Sequence, residues 1–218
     1  MQIQAVTFDV GGTLIEPWPS VGHVYAEVAA RHGWKNLSPE QLNARFKTAW
    51  RSRQTFHHSR DEWDELVTEV FGDATPPGFF AELYDRFAEP DAWHIYEDVR
   101  PALDLLASRE IKLAVISNWD ERLRPLLRKL RLEHHFKSFS ISLEVGFAKP
   151  SPVIFEHAAK GLALPTNSIL HVGDSAEMDI AGALAAGFQA IQIHRRGVTS
   201  KIGLHSLAEL ADINNLNT

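Results

Sequence analysis

Cysteine is absent from this 218-residue chain, which excludes disulfides, cysteine-ligated zinc and thiol redox chemistry. Positive charge is in deficit. Lys and Arg number 22 against 28 Asp and Glu, a net charge of −6. That argues against nucleic acid or an anionic membrane as the main partner, since neither is attracted to an acidic surface. No apolar run approaches the roughly 20 residues that cross a bilayer. The opening "MQIQAVTFDV" has neither a basic start nor a long apolar stretch, so no signal peptide is expected. Internal repeats and low-complexity tracts are also missing. These absences predict a soluble, cytoplasmic protein. Nothing in the chain demands more than a monomer.

What is present is ordinary for a globular protein: 44% apolar and 23% charged residues. The length suits one full domain with a sizeable insertion. "IQAVTFDV" reads as a buried strand stopped by Gly-Gly, and "EPWPS" breaks regular structure with its two prolines. From Ser20 to about Glu89 the pattern turns helical. Val21, Val24, Tyr25 and Val28 share one face, with Gly33 as the stop. Ser38 and Pro39 open a second helix, with Gln41 three residues after the cap. "RDEWDELVTEVFG" and "PPGFFAELYDRFAEP" supply a third and a fourth. Beyond "PDAWHIYEDV", helix alternates with apolar strand: "RPALDLLASRE", "IKLAVISN", "DERLRPLLRKL", "KSFSIS", "SPVIFEHAAKGL", "SILHVGD", "AEMDIAGALAAG" and "QAIQIH". A final short helix is expected in "SLAELADINNL". This rhythm predicts a doubly wound, mainly parallel α/β core over residues 1–16 and 91–218, with a helical-bundle cap over residues 17–90.

Polar residues gather where strands end, the edge at which open α/β sheets place their sites. Asp9 follows the first strand. Ser117 and Asn118 end "VISN", Lys149 precedes "PSPVIF", and Asp174 ends "HVGD" with Asp179 five positions on. The set suits phosphoryl transfer to a carboxylate, which needs a nucleophile, neutralisation of the phosphate and donors for its oxygens. Asp9 is placed as the nucleophile. Gly11 and Gly12 let the backbone approach a phosphate, Thr13 pins the loop, and Ser117 and Asn118 supply donors. Lys149 brings positive charge. Asp174 is a ligand for Mg²⁺ beside Asp9, with Asp179 reaching the ion through a water.

In order and spacing, "FDVGGTL", "VISNWD", "FAKPSPVIF" and "HVGDSAEMDI" resemble the four motifs of the haloacid dehalogenase-like hydrolase superfamily, over nearly the whole chain. The helical insertion lies where that superfamily carries its first class of cap. "SNWDERLRPLL" resembles the rhythmically-expressed-gene-like branch. The resemblance implies a Mg²⁺-dependent phosphatase of a small phosphorylated metabolite, working through an aspartyl-phosphate at Asp9. It also implies that the backbone carbonyl of residue 11 binds the metal. Asp-x-Gly-Gly-Thr is shared with sugar kinases of the actin fold, but those follow the loop with a hairpin strand, and here Pro17 and Pro19 stand in its place.

One departure bears on activity. Phosphatases of the superfamily carry a second Asp two residues after the nucleophile, which protonates the leaving group and then activates water. Here it is Gly11. General acid–base catalysis contributes about 10²–10⁴-fold, so turnover of ordinary alkyl phosphates should be slow and activated leaving groups should suffer less. Two alternatives follow. One is a 2-haloacid dehalogenase-like hydrolase, which also lacks the second Asp but does not keep the acids at Asp174 and Asp179. The other is a catalytically impaired binding protein. In the cap, Tyr25, Phe46, Trp50, Trp63, Phe71 and Phe80 read as core. Trp119 either walls the site or packs beneath the cap, and the His57, His58 and Arg60 loop either faces the site or lies in solvent, with packing and solvent the favoured readings. None of the eleven histidines forms an i, i+4 pair with a helical acid, so no zinc is assigned.

Overall fold

The computed structural model describes residues 2–53, 55–72, 75–195 and 203–215. Its strands are β1 (Ala5–Phe8), β2 (Ile15–Pro17), β3 (Trp93–Ile95), β4 (Lys112–Ser117), β5 (Ser138–Ile141), β6 (Ile169–Gly173) and β7 (Gln189–Gln192). Five form one parallel sheet in the order β5-β4-β1-β6-β7. β1 is central because it is apolar on both faces, and all four of its residues are fully buried. Its side chains alternate. Val6 and Phe8 face the layer of α5 (Val99–Ser108) and α6 (Leu123–Lys129), packing with Leu103, Leu106, Leu126 and Leu127. Ala5 faces α8 (Pro152–Leu162) and α9 (Gly182–Ala185), with Ile154, Phe155 and Ala183. The sheet is thus covered on both faces, as the alternating pattern predicts. Among the described residues no helix is long and apolar enough to cross a membrane.

The parallel register aligns the carboxyl ends of three strands. Phe8 lies opposite Val115 of β4 and Val172 of β6. Asp9, Ser117 and Asp174, one or two positions further along, therefore emerge at the same edge.

Between β2 and β3 come α1 (Val21–Arg31), α2 (Pro39–Arg51), α3 (Arg60–Phe71) and α4 (Phe79–Arg86). Ser20 caps α1 by accepting from the His23 N–H, and Ser38 caps α2 through Gln41 N–H with Pro39 at the first position. α3 starts with a reciprocal capping box, Ser59 with Glu62. The four helices share an apolar centre that includes Val24, Tyr25, Val28, Leu66, Val70 and Phe79.

Four features depart from the sequence reading. "EPWPS" does not wholly break structure: Ile15–Pro17 pairs antiparallel with Trp93–Ile95, so the chain leaves and re-enters the α/β layer side by side. A three-residue strand is too short to show a period, and Pro17 is tolerated because both strands of the ribbon are edges. The segment Ala176–Ala181 is a π-helix that passes into α9 rather than one regular helix, and π-turns concentrate at functional positions. "SLAELADINN" forms 3₁₀ turns with a kink at Asp212, not an α-helix. A short helix, α7 (Ser142–Val145), was not expected.

Candidate active site

The aligned edge brings Asp9, Lys149, Ser117, Asp174 and Asp179 together. Lys149 Nζ donates to Asp9 Oδ1 at 2.6 Å and to Asp179 Oδ1 at 2.5 Å, and the Ser117 hydroxyl donates to Asp9 Oδ1 at 3.0 Å. Carboxylate oxygens of Asp9, Asp174 and Asp179 lie within 4.8 Å of one another. The group floors a cavity of about 970 Å³ between the sheet edge and the helices above, within the usual span for small-molecule sites.

Local geometry explains several residues. Gly12 has φ of 76°, where a side chain is strained, and a Cβ there would stand 2.6 Å from Asp174 Oδ2. A Cβ on Gly173 would meet Asp179 Cγ at 2.2 Å, so Asp179 folds back across that glycine. Its Oδ2 accepts from Ser175 N–H at 2.9 Å. His171, buried on β6, reaches Asp179 Oδ1 at 3.2 Å through Nε2 and the Thr7 hydroxyl at 2.9 Å through Nδ1. With Nε2 as the donor, Nδ1 accepts from Thr7, and the neutral ring positions the carboxylate.

The charges follow from this packing. Burial pushes Asp9 up, against Lys149, which pulls it down. Asp174 is pushed up to about 7 by desolvation and then by the charges of Asp9 and Asp179, although its side chain opens to the cavity. Asp179 goes the other way. Burial opposes ionisation, but Lys149 and His171 hold it well below the ordinary carboxylate range. Burial likewise opposes the charge on Lys149, and Asp179 and Asp9 overcome it.

Other expected residues play different parts. The Asn118 amide is tied to the backbone of Lys149. It donates to the Lys149 carbonyl at 3.0 Å and accepts the Lys149 N–H at 2.7 Å, so it fixes the lysine's backbone. The Gly12 N–H is taken by Ile15 O at 2.8 Å. Thr13 does not pin the loop with its hydroxyl, which is buried and unpartnered among the described residues. Its carbonyl is held instead by Arg195, through Nε at 3.0 Å and Nη2 at 2.6 Å, with Asp98 bidentate on the same guanidinium.

Gly11 lies under Trp119: a Cβ on Gly11 would approach the indole Cζ3 to 3.3 Å. The indole thus borders the space a side chain at position 11 would enter, and it packs on Trp93 with centroids 5.1 Å apart. Next to it, fully buried Asp120 accepts from Arg122 at 2.6 and 2.8 Å and from Trp63 Nε1 of α3 at 2.9 Å. Arg122 also stacks 3.5 Å from the Tyr84 ring centre and donates to the Tyr84 carbonyl. This clasp ties the "SNWDER" loop to the helices above.

The His57–His58–Arg60 loop divides. His57 is exposed on Glu62, and Arg60 lies over the Tyr84 ring. His58, expected in solvent, is buried instead. Phe56 and Trp63 bracket it with apolar surface, a long-range arrangement that a His-His-Ser-Arg run does not reveal. His171 had a visible signal, a histidine inside an apolar strand. Arg195 and Arg122 had none, because their partners are remote in sequence.

Residues 3–187 match the haloacid dehalogenase-like hydrolase family, and the chain belongs to it. It is similar to mouse haloacid dehalogenase-like hydrolase domain-containing protein 3, 32% identical over 210 residues covering 88% of this chain and 82% of that one. It is also similar to the phosphoglycolate phosphatase of Chromobacterium violaceum, 32% identical over 97% of this chain and 96% of the relative. The rhythmically expressed gene 2 protein of Drosophila melanogaster is 27% identical over 89% and 84%, which agrees with the resemblance of "SNWDERLRPLL". Among solved structures, a phosphatase of the same superfamily from Thermococcus onnurineus superposes with a TM-score of 0.73 at 25% identity, covering 98% of each chain.

Proposed function

We propose that this hydrolase is a Mg²⁺-dependent phosphatase of a small phosphorylated metabolite, with Asp9 as nucleophile and residues 17–90 as the cap over its site. The observation that carries the reading is the floor of the cavity. Asp9 is gripped at one oxygen by Lys149 and Ser117, with Asp174 and Asp179 beside it. Three carboxylates around one ammonium leave excess negative charge, and all the donors are hard oxygens, the set that suits Mg²⁺. Asp9, Asp174 and the Gly11 carbonyl would hold the ion. Asp179, already accepting from Lys149, His171 and Ser175, would reach it through a water. Bound Mg²⁺ would supply charge neutralisation for the phosphoryl group.

The chain's own residues do the rest. Lys149 and Ser117 orient Asp9 so that Oδ2 attacks phosphorus while the bond to the leaving oxygen breaks. Water then cleaves the aspartyl-phosphate and releases phosphate. Asn118 keeps Lys149 in place, and His171 keeps Asp179 in place. Gly11 offers no proton to the leaving group, which selects for groups that depart as stable anions. A phosphatase relative over nearly the full chain supports this chemistry. The cluster of hard carboxylate oxygens suits a metal ion, which the dehalogenase alternative does not need.

The test measures acetyl phosphate and p-nitrophenyl phosphate turnover with Mg²⁺ and with EDTA. A metal-dependent rate that falls at least 10³-fold in Asp9→Asn is expected. No rate on either ester would leave a binding protein, and halide release from 2-chloropropionate without metal would replace this reading with the dehalogenase.

A further inference from the structure

We propose that the cap side of the cavity is a recognition subsite for a planar aromatic leaving group, oriented by one hydrogen bond to His58 Nδ1. The inference deepens the phosphatase reading and rests on it for the position of the phosphoryl group, over Asp9.

The walls carry the first argument. Phe46, Trp50 and Trp63 stack in series, with centroids 5.9 and 5.8 Å apart and planes within 22° and 23°. All three rings line the cavity, and Trp50 keeps 39% of its surface exposed. Aromatic rings lining a concave site favour a flat partner.

Charge carries the second. The cationic side chains on the wall are already paired: Arg53 with Glu69 at 2.8 Å and Arg122 with Asp120. Lys149 is held on the floor by Asp9 and Asp179. None of these is left over for a second phosphate or a carboxylate, so the body of the substrate carries no second anionic group.

His58 carries the third. It lines the cavity, is 6% exposed, and sits in the left-handed region at φ of 64°. Phe56, Trp50 and Trp63 surround its ring at centroid distances of 4.9, 6.0 and 5.9 Å. Its Nδ1 is buried and makes no hydrogen bond of good geometry among the described residues, although the Phe56 backbone carbonyl acts on the ring. A desolvated ring nitrogen without a well-formed hydrogen bond, in a strained backbone, marks a place where a ligand completes the bonding. Burial pushes this imidazole down to about 4, so it is neutral at pH 7.

The chemistry agrees with the shape. Asp9 attacks phosphorus and the P–O bond to the arene breaks. The aryl oxide leaves with the electron pair and takes its proton from solvent, and water returns Asp9 and yields phosphate. A phenol ionises near pH 10, as tyrosine does, so it departs without the acid that Gly11 lacks.

Binding and turnover test this separately. The probes are 2-naphthol and 2,6-dihydroxynaphthalene, titrated into the Asp9→Asn protein and followed by tryptophan fluorescence. Dihydroxynaphthalene should bind at least tenfold more tightly than 2-naphthol. His58→Phe should abolish that difference, and His58→Gln, which keeps a polar group, should retain part of it. Trp50→Leu, at a partly exposed side chain, should weaken both probes about tenfold even if the His58 variants fold poorly. In turnover, 2-naphthyl phosphate should exceed phenyl phosphate in kcat/KM at least tenfold, because their leaving groups ionise alike and differ in size. Failure of both arenes to bind at millimolar concentration, or equal binding by His58→Phe, overturns the proposal. If acetyl phosphate is hydrolysed while no arene binds, the phosphatase reading survives and this subsite does not. If arenes bind with the His58 dependence but no phosphate ester turns over, the subsite survives and the phosphatase reading does not.

Discussion

On the floor of the cavity, Asp9, Lys149, Asp179 and His171 are locked by contacts of 2.5 to 3.2 Å. On the cap side, rings stack at nearly 6 Å, Arg53 and Arg122 are tied to acids, and one buried histidine nitrogen makes no hydrogen bond of good geometry among the described residues. The floor is set by charges that must satisfy one another out of water, where geometry has little slack. The wall is set by apolar contact, which tolerates exchange of shape. Chemistry therefore belongs to the rigid half, and the choice of substrate to the adaptable one.

The hardest way to break this contrast is Lys149→Met. It leaves Asp9 and Asp179 buried without their cation, and breaking such a pair costs about 3–5 kcal/mol. Urea unfolding should show that loss, and Mg²⁺ should recover part of it if the carboxylates hold the ion. Turnover should fall more than 10³-fold.

Acid should test the wall through one variant. Unfolded His58 takes a proton below its ordinary 6.5, while the folded group, desolvated although Asp120 and Glu62 pull upward, resists until about 4. Its contribution is full above 6.5 and is lost as pH falls from 6.5 to 4, by about 3 kcal/mol at ~1.4 kcal/mol per unit. His171 adds to the same trend, since burial lowers it too. The discriminating measurement is therefore the pH slope of Tm in His58→Phe against the parent, which should be shallower. An identical slope would deny His58 its buried, neutral state.

The border between the halves is Gly11 under Trp119. An aspartate there would need the indole to shift by a few tenths of an ångström. Gly11→Asp alone should raise alkyl phosphate turnover less than tenfold, and Gly11→Asp with Trp119→Leu should raise it further. A large gain from the single change would mean that the indole yields freely.

The smallest expected effect is Ser59→Ala. It removes the side-chain arm of the α3 capping box beside His58, leaving the residue 59 N–H on Glu62, and should cost about 1 kcal/mol. Arene binding should weaken with it if the loop's geometry depends on that cap.

The two halves were also unequally legible. Core strands and helices were readable because long apolar periods and parallel register leave few options, and the floor residues were readable because they follow strand ends. The cap helices announced themselves through Ser38-Pro39 and through apolar spacing such as Val21, Val24 and Val28. The ribbon of Ile15–Pro17 with Trp93–Ile95 was invisible, since three residues carry no period and the partner lies across the whole cap. The partners of Asn118, Thr13 and His58 were not legible for one reason: what a polar side chain bonds depends on which distant atoms arrive beside it.

The sequence by itself determined the doubly wound sheet, the place of the helical insertion, and the gathering of Asp9, Lys149, Asp174 and Asp179 at one edge. Local pattern and strand polarity suffice for those. Only the tertiary structure decided that Asn118 serves the lysine backbone, that Trp119 borders the missing acid's place, and that His58 turns inward among rings. These depend on contacts between segments far apart in the chain, where desolvation and close packing, rather than residue type, select the partner.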